Sequence, residues 1–146
     1  MKIGIIGGTF NPIHNAHLLI AEMAREEYGL DRVIFITDGN PPHKSANVTA
    51  KQRFEMTHIA IADNSAFEED DFEINRSEKS YTVNTLGYLK EKYPNNDLFF
   101  IIGEDSLNDF DKWYKPDKIL EMCSLLVFPR KSLKSLTETI KVVKEK

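Results

Sequence analysis

Short apolar bursts alternate with helix-period segments along almost the whole chain, and this alternation narrows the possible folds more than any other feature. Ile3 to Ile6 reads as a buried strand, and the stretch from Ala16 to Tyr28 as a helix stopped by Gly29. Arg32 to Thr37 is a second strand, rich in β-branched residues. Asp38 to Lys44 reads as a loop, because Pro41 and Pro42 forbid regular structure. Thr49 and Gln52 make a capping-box pattern that opens a helix reaching about Ala62. The acidic run Glu68 to Asp71 reads as a solvated loop, and Phe72 to Ile74 as a short strand. From Thr82 to Tyr93, Val83, Leu86 and Leu89 recur at helical spacing, and Pro94 follows. Leu98 to Ile102 carries the strongest central-strand signal and runs into Gly103-Glu104-Asp105-Ser106. A helix around Asp117 to Met122, a strand from Leu125 to Phe128 and a terminal helix from Leu133 to Lys146 complete the series. Such alternation predicts an α/β fold, an open parallel sheet with helices on both faces.

Gly7-Gly8-Thr9-Phe10-Asn11-Pro12-Ile13-His14-Asn15-Ala16-His17 lies where the first strand gives way to the first helix. A helix N-terminus has unpaired N–H groups and a partial positive charge, so this is a place to bind phosphate. His14 and His17 are three apart and face one side of a helical turn, next to the amides of Gly8, Thr9 and Phe10. The plainer reading is a glycine-rich turn with surface histidines. A metal pair lacks a third ligand nearby. The stretch is not a P-loop, having no Lys-Ser/Thr after the glycines, nor a dinucleotide fingerprint, having no third glycine. Open parallel sheets bind ligands beyond the strand C-termini where strand order reverses. If the first strand and the Leu98 strand are neighbours, one cleft collects both glycine-rich ends.

Length and composition fit one soluble domain: 146 residues, 41% hydrophobic and 29% charged. A formal net charge of −4 advertises neither nucleic-acid nor membrane binding. Cys123, the single cysteine, cannot form an internal disulfide and reads as a small core hydrophobe. There is no signal-peptide pattern and no apolar run of membrane-spanning length, so the expected location is cytoplasmic. No apolar stripe decides between monomer and homo-oligomer.

The stretch GGTFNPIHNAH resembles the (H/T)xGH-type signature of the nucleotidyltransferases that move an AMP or CMP group. Within that superfamily the chain is similar to the bacterial nicotinate-nucleotide adenylyltransferase family. PPHK at 41–44, SYT at 80–82, GEDS at 103–106 and WY at 113–114 occur in that family's order and approximate spacing. The resemblance covers essentially the whole chain. It implies a Rossmann-like fold and a reaction of ATP with nicotinate mononucleotide that gives nicotinate adenine dinucleotide and pyrophosphate. His14 and His17 would be catalytic, along the ATP phosphates. Gly7, Gly8, Thr9, Phe10, Gly103 and Arg130 would complete the ATP side. His43 and Lys44 would meet the mononucleotide phosphate, Thr82, Trp113 and Tyr114 the nicotinate ring and carboxylate, and Asp105 the ribose hydroxyls. Asp105 also reads as a helix N-cap. Magnesium would be held mainly by phosphate oxygens and water, with no protein metal ligands. The chemistry agrees with the composition of the site: a nucleotide phosphate is already a nucleophile, so alignment and charge stabilisation suffice.

The sequence departs from the family pattern in places. Asn11 stands where Asp is common, Ala16 where Gly is common, and Thr37-Asp38-Gly39-Asn40 precedes PPHK in place of the usual Pro-Asn/Ser start. The family's I-S-(S/T)-x-x-(I/V)-R motif, which meets the ATP β- and γ-phosphates, does not occur between residue 1 and Lys146. Loss of an arginine clamp on transition-state charge costs ~10³-fold or more in rate. The expectation is therefore one nucleotidyltransferase domain over residues 1–146 that lacks its C-terminal portion, with full catalysis needing residues beyond it. Pantetheine-phosphate adenylyltransferase and a catalytically weak nucleotide-binding homologue are the alternatives. PPHK, SYT and Trp113-Tyr114 argue against the former, since a pantetheine arm needs no aromatic-carboxylate pocket.

Overall fold

The computed structural model describes residues 1–8, 15–37, 49–74, 81–128 and 141–143. Among them six strands form one sheet in the order β3-β2-β1-β4-β5-β6. They are β1 (Lys2–Gly8), β2 (Arg32–Thr37), β3 (Phe67–Asp70), β4 (Asp97–Gly103), β5 (Ser124–Phe128) and β6 (Lys141–Val143). The first five are mutually parallel, with Ile5 opposite both Ile34 and Phe100. Helices α1 (Asn15–Tyr28), α2 (Ala50–Ile61), α3 (Thr82–Lys92), α4 (Glu104–Asn108) and α5 (Pro116–Met122) connect them.

β1, β2, β4 and β5 are largely apolar on both faces because both faces are covered. Ile34 and Ile36 of β2 turn toward Leu86 and Leu89 of α3 and Ile119 of α5. Val33 and Phe35, the alternate residues, turn toward Ala21 and Ala24 of α1 and Ile61 of α2. Gly29 closes α1 at φ 66, and the Leu30 N–H reaches back to the Arg25 carbonyl at 3.0 Å, a bond that only a left-handed residue permits there. Thr49 and Gln52 form the expected reciprocal capping box on α2. Thr49→Ala is expected to cost about 1 kcal/mol by leaving the Gln52 amide unpaired, measurable by urea denaturation.

Three expectations are corrected. The acidic run is no solvated loop, and the strand is Phe67–Asp70; Phe72 to Ile74 form a turn. Each acid of β3 finds a partner on another element. Glu68 pairs with Arg32 at 2.7 Å, Glu69 with His58 Nδ1 at 3.2 Å and Asp70 with Lys92 at 3.0 Å, while Phe67 anchors the strand edge-on to Phe35. The third correction concerns the C-terminal segment. Residues 141–143 are no helix but an antiparallel edge strand, Val142 opposite Leu126. It pairs the otherwise open edge of β5, and its two valines suit a strand better than a helix. The remainder of the expected terminal helix lies outside the described residues.

Burial of the Glu69 side chain, 4% exposed, pushes its carboxyl up to about 7 despite the opposing pull of His58. Among the described residues its Oε2 finds no hydrogen-bond partner. In the unfolded chain the proton leaves near the ordinary value of 4.5, so between about 4.5 and about 7 the folded state binds more protons. Stability therefore falls as pH rises through that window. Glu69→Gln is expected to abolish this slope, matching the parent at its acid end and melting higher above about pH 7.

Candidate functional site

The chain leaves β1 toward β2 on one side and returns to β4 on the other, so strand order reverses between β1 and β4. A cleft of ≈ 370 Å³ opens at their C-terminal ends. Gly7 and Gly8 form its edge at the end of β1, and His17 enters from the first turn of α1. A side chain there sits at the positive end of a helix of 14 residues, where anions are favoured. Gly103 and Ser106 also line it, from the end of β4 and from α4.

Part of the lining is aromatic. Trp113 stands 6.0 Å from Phe100 in an edge-on arrangement and 5.0 Å from Phe110. Phe100 belongs to β4, so the indole is fixed against the sheet. Thr82 and Thr85, one turn apart on α3, face the cleft together. The buried Thr85 hydroxyl donates to Glu73 Oε2 at 2.5 Å. Glu73 sits on the turn after β3, and that turn is fastened twice. The Phe72 N–H donates to Asp70 Oδ1 at 2.9 Å, and the Phe72 ring stacks on Tyr88 at 4.2 Å. Asp70 Oδ2 also accepts from Tyr88 Oη at 3.1 Å and from Lys92 Nζ at 3.0 Å. That carboxylate raises the pKa of the Lys92 ammonium, and burial with the same charge raises that of the Tyr88 phenol. Both remain donors at neutral pH.

Six residues singled out from the sequence thus meet in one cleft: Gly7, Gly8, His17, Thr82, Gly103 and Trp113. Thr9, Phe10, His14, His43, Lys44 and Arg130 lie outside the described residues. Asp105 and Tyr114 are exposed and are not among the described lining. Asp105 is the second residue of α4, whose capping position is Gly103, so it is no N-cap. Tyr114 packs 4.6 Å from Tyr81, just ahead of Thr82, with Lys115 Nζ 5.2 Å over its ring. Sequence reasoning missed Glu73, Thr85 and Ser106. Thr85 was discoverable from its i+3 relation to Thr82, and Ser106 lies within the GEDS segment. Glu73 was hidden by the misplaced strand. Cys123 is a core thiol pushed up to about 12 by burial and donates to the Ile119 carbonyl, so it is no nucleophile.

The cytidylyltransferase-like family model matches residues 5–145, which agrees with a glycine-edged cleft at the switch point of a doubly wound sheet and gives the class, an α/β nucleotidyltransferase domain. The chain is 47% identical over 146 residues to a probable nicotinate-nucleotide adenylyltransferase of Citrifermentans bemidjiense, covering 97% of this chain and 68% of that protein. It is 49% identical over 132 residues to the probable enzyme of the same name from Geobacter sulfurreducens, covering 89% and 61%. The chain belongs to the nicotinate-nucleotide adenylyltransferase family within the cytidylyltransferase-like class. It spans about two thirds of the length of these relatives. Among solved structures, a putative nicotinate-nucleotide adenylyltransferase from Vibrio parahaemolyticus superposes with a TM-score of 0.72 at 27% identity, over 92% of this chain and 77% of that one. Plasmodium falciparum nicotinic acid mononucleotide adenylyltransferase, complexed with NaAD, gives a TM-score of 0.78 over 89% and 65%, a likeness of fold at 24% identity. No helix among the described residues is long and apolar enough to cross a membrane.

Proposed function

We infer that this chain carries the adenylyl-transfer site that joins the AMP moiety of ATP to nicotinate mononucleotide, releasing pyrophosphate. The observation that supports this best is the cleft at the switch point, where His17 and the Gly7-Gly8 edge share one space with Thr82 and Trp113. An anion-binding edge suits the phosphates, and an aromatic wall with hydroxyls suits a planar ring bearing a carboxylate. In this reading ATP lies along Gly7, Gly8, Thr9, Phe10, His14, His17, Gly103 and Arg130. The acceptor lies along His43, Lys44, Thr82, Trp113 and Tyr114, with Asp105 on its ribose. The mononucleotide phosphate attacks the α-phosphorus of ATP, and pyrophosphate leaves with the electron pair of the broken P–O bond. The protein aligns the two anions and holds donors against the charge that develops. In this reading magnesium rides on ATP, held mainly by phosphate oxygens and water. Cytoplasmic residence accords with ATP as the donor.

The test is pyrophosphate release with ATP and each of nicotinate mononucleotide, nicotinamide mononucleotide and phosphopantetheine. Nicotinate mononucleotide is expected to give the highest kcat/KM, and a preference for phosphopantetheine would overturn the reading. The same assay on the chain extended at its C-terminus by the family's I-S-(S/T)-x-x-(I/V)-R segment measures how much β- and γ-phosphate binding that segment supplies.

A further inference from the structure

We propose that Tyr81 is a positioning residue: its ring, packed on Tyr114, holds Trp113 in register with Thr82 and so sets the slot that takes the acceptor's ring. The role rests on the acceptor reading above. Thr82 and Trp113 both line the cleft, but they come from segments far apart in the chain. Each has a tyrosine beside it in sequence that is outside the described lining, Tyr81 ahead of Thr82 and Tyr114 after Trp113. Those two rings meet with centroids 4.6 Å apart and planes tilted by 36°. A single ring contact therefore ties the two lining residues together, one peptide bond away from each.

The backbone stiffens the tie at both ends. The Tyr81 carbonyl accepts from the N–H groups of Asn84 at 3.0 Å and Thr85 at 3.2 Å, which fixes Tyr81 to the first turn of α3. The Lys115 carbonyl does the same for α5, accepting from Lys118 at 3.1 Å and Ile119 at 3.3 Å. The two helices share one core through Leu86, Leu89 and Ile119. Between Trp113 and α5 the chain passes through Lys115 at φ 53 and ψ 59, the one non-glycine among the described residues with a positive φ. A left-handed conformation costs an L residue energy and persists only where its surroundings hold it. Here they include the Tyr114 ring, whose centre lies 5.2 Å from Lys115 Nζ and whose own place is set by Tyr81. Phe100 and Phe110 restrain the indole of Trp113 itself, and the tyrosine pair restrains the chain that leaves it. Both tyrosines are exposed, 37% and 47%, so their contact buries little apolar surface and adds little stability. Its effect is geometric: an indole restrained before the ligand arrives loses less freedom on binding.

Trp113 is the single tryptophan of the chain, so its fluorescence reports on this slot directly. Two measurements on the full chain test the proposal: acrylamide quenching of Trp113 without ligand, and calorimetric titration with nicotinate mononucleotide. Tyr81→Ala is expected to raise quenching toward that of an exposed indole while Tm changes little. The same variant is expected to bind nicotinate mononucleotide about fivefold more weakly, within the range of one aromatic pair. Tyr81→Phe keeps the ring and matches the parent in both measurements. Should Tyr81→Ala melt below the assay temperature, Tyr81→Leu removes the ring face, keeps apolar bulk and carries the same expectation. Unchanged quenching in the variant without a ring overturns the proposal, and so does raised quenching with unchanged affinity. A Tyr81→Phe chain that behaves like Tyr81→Ala overturns it too, by assigning the role to the hydroxyl. If the unaltered chain does not bind nicotinate mononucleotide, the acceptor reading falls and takes this role with it, a failure that ligand-free quenching tells apart from loss of the ring tie.

Discussion

His17→Ala is expected to lower kcat by about 10²–10³-fold while the KM for nicotinate mononucleotide changes little, the scale of removing one preorganised donor to developing charge. His17 lines the cleft from the first turn of α1, beside Gly7 and Gly8, and in the proposed reading its imidazole serves the phosphates and not the ring. Charge accumulates on the α-phosphoryl oxygens and on departing pyrophosphate only as the bond breaks. A donor aimed there stabilises the transition state more than either bound substrate. Steady-state kinetics with the acceptor varied at saturating ATP separates the two effects. If the variant loses acceptor affinity and keeps its turnover, His17 belongs to the mononucleotide side and the orientation of both substrates must be reversed.

The second large effect lies outside the cleft, at Asp70. Its side chain is 3% exposed and takes hydrogen bonds from the Phe72 N–H, Tyr88 Oη and Lys92 Nζ. Asp70→Ala strands the first two donors in a partly buried setting; Lys92, largely in water, recovers its hydration. The expected loss is ~2–4 kcal/mol, or a fall in Tm of roughly 5–15 °C for a domain of this size. The turn that carries Glu73 is also released, so acceptor KM should rise more than kcat falls. Asp70→Asn keeps an oxygen for the Phe72 N–H and should recover part of both losses. Thermal melts and kinetics on the two variants check the pairing: destabilisation with an unaltered KM would separate Asp70 from the site.

Most of the fold was legible because its signals are local. Strands buried on both faces read as continuous apolar runs, as in Arg32–Thr37 and in the Leu98 segment, and Gly29 and the Thr49–Gln52 box announce helix ends within a few residues. The failures were non-local. Nothing near Glu68-Glu69-Asp70 in the chain indicates that Arg32, His58 and Lys92 will meet those acids, and without those partners an acidic run belongs in water. Residues 141–143 become a strand because β5 has an open edge, a fact about the assembled sheet. Of the site, the glycine edge, His17, Thr82 and Trp113 were found from motif positions, whereas Glu73 enters the cleft only because the turn after β3 is pinned to α3.

By itself the sequence determined the order and kind of most elements, the class of chemistry and both glycine-rich strand ends, since each depends on residues close together in the chain. The tertiary structure decided that β1 and β4 lie side by side, and hence that those ends open into one cleft. It also decided which acids are buried and which carboxylate lines the cleft. Strand order and the partnering of buried charge arise from contacts between residues far apart in sequence, and no local pattern records them.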